Sequence, residues 1–123
     1  MKLQDKIAVV TGGSRGIGRG IATRLAADGA TVIVNYKGNE EAAREVVAQI
    51  EKSGGKARAM QADLADVVAM RHMFAEIEGD FGHIDILVNN AGWAEFRVLD
   101  EVDEDSFDAI FDLNVRALFF TTQ

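Results

Sequence analysis

A short apolar segment near the start of the chain runs directly into a turn that is rich in glycine. Ile7–Val10 are β-branched or small and carry no charge, which is typical of a strand buried on both faces of a parallel sheet. Gly12 and Gly13 follow and let the backbone turn sharply, because no Cβ intervenes. Gly16 and Gly18 fall where a helix begins, and the free N–H groups of a helix start attract anions. This arrangement predicts a dinucleotide phosphate site, with a glycine-rich helix entry as the alternative.

The composition indicates one globular domain with an acidic surface. The chain has 123 residues and a net charge of −7, which argues against nucleic acid as a partner, because phosphate backbones are bound by clustered Lys and Arg. It contains no cysteine, which excludes disulfides and thiolate chemistry. No apolar run approaches membrane-spanning length, and the first residues lack a signal-peptide core. We therefore expect a cytoplasmic protein that does not bind membranes.

Strand and helix patterns alternate along the whole chain. Strands are predicted at residues 7–10, 31–34, 57–61 and 84–89, and helices at 17–27, after Asn39, around 67–81 and from Glu104 to the terminus. This order predicts an α/β fold with a doubly wound parallel sheet of Rossmann type, in one domain over residues 1–123. Ligands of such sheets lie at the carboxyl ends of the strands. Gly12, Tyr36, Asp63 and Asn90 all follow predicted strands, so we expect them to converge on one edge of the sheet.

Four short motifs then occur in a fixed order: Thr11-Gly12-x-x-x-Gly16-x-Gly18, Asp63-Leu64, Asn89-Asn90-Ala91-Gly92 and, within the last helix, Asn114. In spacing and order they resemble the short-chain dehydrogenase/reductase family, including its 3-oxoacyl-ACP reductase-like and sugar or alcohol dehydrogenase-like members. The resemblance covers the chain from end to end. It implies the NAD(P)-binding portion of an oxidoreductase that transfers hydride between NADP(H) and a carbonyl or alcohol substrate, and a chain truncated after about four strands.

The predicted cofactor site combines the glycine turn with the ends of the next three strands. Its members are Thr11, Gly12, Ser14, Arg15, Gly16, Ile17, Gly18, Asn35, Tyr36, Lys37, Asp63, Leu64, Asn90, Ala91 and Gly92. No metal is expected, because no His, Cys or carboxylate cluster shows ligand spacing. The carboxylates between residues 100 and 105 precede a helix, where negative charge complements the helix dipole.

Charge at the end of the second strand favours NADP(H) over NAD(H). An NAD site usually places a carboxylate there, about 20 residues after the glycines. Here the sequence reads Asn35-Tyr36-Lys37, and no carboxylate occurs before Glu40. Arg15 and Lys37 are instead suited to pair with a 2′-phosphate, unless both are ordinary surface residues.

Asn114 is the candidate catalytic residue. It shares an apolar helical stripe with Phe107, Ile110, Phe111 and Leu118, and a buried amide needs hydrogen-bond partners. The resemblance implies that it holds a kinked helix and a water in a proton relay. A purely structural asparagine that ties the helix to neighbouring backbone is an equally supported alternative.

The rest of the family's catalytic set is not found in these 123 residues. The only tyrosine is Tyr36, with Glu40 in place of a lysine four positions later, and none of Ser14, Ser53 and Ser106 matches the family's serine. Two hypotheses remain open. The chain is the cofactor-binding half of a reductase, inactive alone, or it is a stand-alone nucleotide-binding or self-assembling module.

Self-association is expected in both cases. An unpaired fourth strand and partly uncovered apolar side chains favour a homo-oligomer or a strand-exchanged assembly. The side chains concerned are Phe107, Phe111, Phe119 and Phe120.

Overall fold

The computed structural model describes residues 2–14, 16–92 and 99–123, and its strands and helices alternate as predicted. The strands are β1 (Ile7–Val10), β2 (Thr31–Tyr36), β3 (Lys56–Gln61) and β4 (Ile86–Val88). The helices are α1 (Gly16–Ala27), α2 (Glu40–Lys52), α3 (Val67–Phe81), α4 (Glu104–Phe111) and α5 (Leu118–Thr122). A 3₁₀ turn (Leu99–Glu101) precedes α4, and a π-helical segment (Asp112–Ala117), called the π segment below, joins α4 to α5.

The four strands form one parallel sheet in the order β3-β2-β1-β4. The chain proceeds from β1 outward through β2 to β3 and then returns to add β4 on the other side of β1. This reversal between β1 and β4 is the point at which doubly wound sheets bind their ligands. The predicted α/β fold of Rossmann type is confirmed.

Two apolar cores cover the two faces of the sheet, and β1 contributes to both. Ile7 and Val9 pack in the core that includes α3, whereas Ala8 and Val10 pack in the core that includes α1 and α2. Every residue of β1 is buried. Alternate side chains of a strand point to opposite faces, so a strand with helices on both sides must be apolar at every position.

Two strand boundaries differ from the prediction. β2 continues past its apolar run through Asn35 and Tyr36, because both residues stay in register with β3. β4 is shorter than predicted and is bounded by polar side chains. On one side the Asp85 carboxylate accepts the Ile7 N–H at 2.8 Å. On the other the Asn90 N–H turns back to the Val88 carbonyl at 3.0 Å, which ends the strand.

The predicted helix from Glu104 to the terminus is present, but its middle is π-helical. The π segment inserts wider turns there, which rotates the residues after it relative to those before it. As a result Leu113, Ala117 and Phe120 pack on the core. Phe107 and Phe111 of the predicted apolar stripe stack on each other, with ring centroids 4.4 Å apart, and are 52% and 47% exposed.

Helix starts follow the polar signals in the sequence. The Asn39 side chain caps α2 by accepting the Ala42 N–H at 3.0 Å, and Asp103 caps α4 by accepting the Ser106 N–H at 2.8 Å. The acidic group before α4 is therefore a helix entrance, as predicted. Within the described ranges, none of the helices has both the length and the apolar character needed to span a bilayer.

Candidate functional site

A cleft of about 550 Å³ opens at the carboxyl ends of the strands. Ten of the predicted cofactor residues line it: Gly12, Ser14, Asn35, Tyr36, Lys37, Asp63, Leu64, Asn90, Ala91 and Gly92. A larger groove of about 760 Å³ lies at the amino ends, beside Thr31 and Lys56. We assign the site to the carboxyl-end cleft, because open α/β sheets bind ligands there.

The glycines of the turn serve different purposes. Gly12 and Gly16 have φ angles of +61° and +59°, which L side chains rarely adopt. A Cβ on Gly16 would meet no atom within 4 Å, so the start of α1 is open to an incoming group. A Cβ on Gly18 would instead overlap the Asn90 side-chain nitrogen and lie 2.5 Å from the Gly12 carbonyl oxygen. Gly18 is therefore required for close packing of α1 against the turn.

Thr11 and Asn90 join the turn to the segment after β4. Thr11 is 1% exposed, and its hydroxyl oxygen accepts the N–H groups of Asn90 at 2.9 Å and Ala91 at 3.0 Å. The Asn90 side chain donates to the Gly12 carbonyl at 3.0 Å. Thr11 therefore lies beneath the cleft, where it holds two of the predicted site segments together.

Asn35 joins the same turn to β3. It is 2% exposed, and its side-chain oxygen accepts the Gly12 N–H at 3.1 Å. Its side-chain nitrogen donates to the Ala62 carbonyl at 3.2 Å, immediately before Asp63. The polar atoms of this predicted cofactor residue are thus directed at protein groups.

Lys37 and Asp63 form an ion pair at the rim of the cleft. Lys37 Nζ lies 3.7 Å from Asp63 Oδ2, and both side chains are largely in contact with solvent. Asp63 Oδ1 also accepts the Ala65 N–H at 3.0 Å, which orients the carboxylate. The next residue, Leu64, is 4% exposed and packs in the core under the cleft.

The start of α1 supplies unpaired backbone donors beside the turn. The first N–H groups of a helix have no acceptor within it, and the dipole of α1 adds positive potential at Gly16. Ile17 in this first turn is 78% exposed, so its side chain is accessible to a ligand at the start of α1. Arg15 lies outside the described residues.

Asn114 lies within the π segment, next to the other end of the cleft. A Cβ on Gly92 would lie 2.9 Å from Asn114 Oδ1, so any larger residue at position 92 would require the Asn114 side chain to shift. Asp112 and Leu113 of the same segment line the cleft, and sequence analysis missed both. Their proximity to Asn114 is the only signal in the sequence that would have found them. No group of three potential metal ligands occurs in the part of the chain that the structure describes.

A family model described as short chain dehydrogenase matches residues 6–123. The chain belongs to the short-chain dehydrogenase/reductase family. A hydroxynaphthalene reductase-like protein of Metarhizium guizhouense is 48% identical over 121 residues, which are 98% of this chain and 45% of the relative.

Solved structures of this family share the fold. A short-chain dehydrogenase from Burkholderia cenocepacia in complex with NADP is 50% identical, with a TM-score of 0.95 over 100% of this chain and 50% of the other. A blue fluorescent protein from a metagenomic library in complex with NADPH is 42% identical. Its TM-score is 0.93, and the match covers 100% of this chain and 51% of the other. The chain thus spans about half the length of these relatives and corresponds to the NAD(P)-binding portion of the family, as predicted.

Proposed function

We propose that the cleft binds NADP(H) and that the protein is part of an oxidoreductase acting on a carbonyl or alcohol substrate. When bound, the nicotinamide would supply the hydride acceptor or donor. The residues described here bind and orient the dinucleotide. Asn114, at the Gly92 end of the cleft, is the candidate residue of the catalytic set.

The observation that carries this proposal is the open start of α1 beside the cleft. Gly16 combines a φ of +59° with free space where a side chain would lie, and the first N–H groups of a helix have no acceptor within it. A helix start of this kind attracts anions, and a side chain at residue 16 would occupy the open space beside it. Gly12 N–H and Gly13 N–H are bonded to Asn35, so the phosphates would use the donors from Gly16 onward.

The preference for NADP(H) rests on the charges near the end of β2. Lys37 is the cation at the rim, and residues 35–37 contain no carboxylate that would bind a ribose 2′-hydroxyl. A 2′-phosphate would compete with Asp63 for Lys37 and would gain a charge-assisted contact. The relatives solved with NADP and NADPH support the same choice.

Fluorescence titration with NADPH and NADH tests the proposal. We expect the wild-type chain to bind NADPH more tightly than NADH. Lys37→Ala is expected to weaken NADPH about tenfold, roughly the 1.4 kcal/mol of one charge-assisted contact, and to leave NADH unchanged. Lys52→Ala is the matched control, because Lys52 lies at the far end of α2. Equal affinity for the two dinucleotides, or an unchanged preference in both Lys37→Ala and Arg15→Ala, would refute the preference. No binding of either would refute the site.

We also propose that the 123 residues bind the dinucleotide without turning over a substrate, because they contain no Tyr-x-x-x-Lys sequence. Self-association is part of the proposal. Five apolar side chains of α4, the π segment and α5 are between 45% and 63% exposed: Phe107, Phe111, Val115, Leu118 and Phe119. Such a row is typical of an interaction surface.

A further inference from the structure

Asn35 connects three parts of the molecule through one side chain. Besides its bonds to the Gly12 N–H and the Ala62 carbonyl, its amide nitrogen lies 3.4 Å from the Met60 carbonyl oxygen and 3.5 Å from the Met73 sulfur. Met60 is in β3 and Met73 is in α3. The side chain of one β2 residue thus contacts β3, α3 and the turn that follows β1, at the edge of the cleft.

Only an amide satisfies these contacts. The turn presents a donor, the Gly12 N–H, and the end of β3 presents an acceptor, the Ala62 carbonyl. A carboxylate accepts from the Gly12 N–H but repels the Ala62 carbonyl, and an aliphatic side chain pairs with neither group. A hydroxyl on a shorter side chain does not span the distance between the two groups. At 2% exposure, no water replaces a lost partner without local opening.

The main chain of Asn35 extends the same connection. Its carbonyl oxygen accepts the Gly13 N–H at 3.0 Å, so two successive N–H groups of the turn are bonded to one residue. These bonds hold Gly12 in its left-handed conformation and hold the turn at a fixed separation from Ala62. Gly12 and Asp63 both line the cleft.

We propose that Asn35 is a positioning residue for the dinucleotide: it fixes the spacing between the glycine turn and the end of β3, and it sets affinity without contacting the ligand through its polar atoms. The inference rests on the proposed function of the cleft. It differs from the sequence-based prediction, in which Asn35 was itself a cofactor contact.

The test compares Asn35→Leu and the milder Asn35→Ser with Val46→Ala. Val46 is fully buried in α2, within the core on the other face of the sheet, so its truncation lowers stability without touching the cleft. Affinity for NADPH is measured at a temperature at which all variants are folded by circular dichroism. We expect the dissociation constant to rise at least tenfold in both Asn35 variants and to stay within twofold of wild type in Val46→Ala.

Amide hydrogen exchange of the ligand-free protein provides a second readout. The Gly12 amide is expected to exchange at least tenfold faster in the Asn35 variants, relative to the amide of Val9 in β1, and at the wild-type ratio in Val46→Ala. A global loss of stability would accelerate both amides together. Asn35→Ser keeps the test valid if Asn35→Leu does not fold.

The outcomes separate the two proposals. Wild-type NADPH affinity in Asn35→Ser overturns the positioning role and leaves the proposed function intact. Absence of NADPH binding by the wild type overturns the proposed function. The exchange rate of the Gly12 amide relative to the Val9 amide then decides whether Asn35 fixes the turn. If this ratio is the same in the Asn35 variants as in the wild type, the role of Asn35 in fixing the turn is overturned as well.

Discussion

Replacement of Thr11 by valine is expected to destabilise the protein more than replacement by serine, although valine has nearly the same shape as threonine. The Thr11 hydroxyl accepts the Ala91 N–H at 3.0 Å and the Asn90 N–H at 2.9 Å, and it donates to the Val88 carbonyl at 3.2 Å. Valine removes all three bonds. Serine keeps the hydroxyl and removes only a methyl group.

The magnitude follows from which partners have a second bond. The Val88 carbonyl also accepts the backbone N–H groups of Thr11 and Asn90. The Val88 carbonyl and the Asn90 N–H therefore both stay paired in Thr11→Val. Ala91 N–H has no other acceptor among the described contacts, and the loss of a partner costs a donor up to about 3 kcal/mol when it is buried and less at a half-buried position such as this one. We expect a loss of about 2 kcal/mol for Thr11→Val. Thr11→Ser loses about 0.8 kcal/mol for one buried methyl group.

Chemical denaturation and thermal unfolding measure this difference. For a chain of this size about 1 kcal/mol corresponds to roughly 4 °C in Tm, which predicts a decrease of about 8 °C for Thr11→Val and about 3 °C for Thr11→Ser. The slope of the denaturation curve should be the same in all three proteins, which shows that only stability changed. A Thr11→Val protein as stable as Thr11→Ser would refute the reasoning that the hydroxyl, rather than side-chain volume, holds the two segments together.

Two further predictions concern the glycine turn and the exposed apolar row. Gly16→Ala and Gly54→Ala both place a side chain at positive φ in open space, so each should lower the free energy of unfolding by about 1 kcal/mol. Only Gly16→Ala should raise the dissociation constant of NADPH at least tenfold in titration. Equal dissociation constants in the two variants would contradict the assigned phosphate site. The double variant Phe107→Ser with Phe111→Ser should sediment as a monomer at concentrations at which the wild type associates, and a wild type that is already a stable dilute monomer would contradict the proposed surface.

Much of the fold follows from local sequence patterns. The apolar run Ile7–Val10 predicts a strand buried on both faces, and the structure shows it between two cores. The alternation of patterns predicts parallel strands, and parallel strands bring their carboxyl ends to one edge. For this reason Gly12, Asp63 and Asn90, which are far apart in sequence, were correctly expected to line one cleft.

Other features depend on contacts that no local pattern encodes. Asn35 is polar and ends the apolar run, yet β2 continues through it because β3 and the residue after it supply partners from 25 and 27 residues away. The π segment changes which side chains of the last helix pack on the core, Leu113 and Ala117 among them, whereas residue periodicity assumes uniform turns. Phe107 and Phe111 fit a helical apolar stripe, but apolar spacing does not reveal whether a neighbour covers that stripe.

Polar residues that line the cleft or lie beneath it hold its segments together. Thr11, Asn35 and Asn90 each bond to main-chain groups of the turn or of the segments beside it, and their partners lie 23 to 80 residues away. Loop N–H and C=O groups buried under a ligand site need such partners, because water does not reach them. Among the described residues, the start of α1 adds N–H groups that have no acceptor within the helix. A ligand therefore meets donors that are already oriented, and less of its binding energy is spent on ordering the loop. Because these bonds also stabilise the fold, loss of one changes stability and affinity together, and the two effects separate only when affinity is compared among variants that are equally folded.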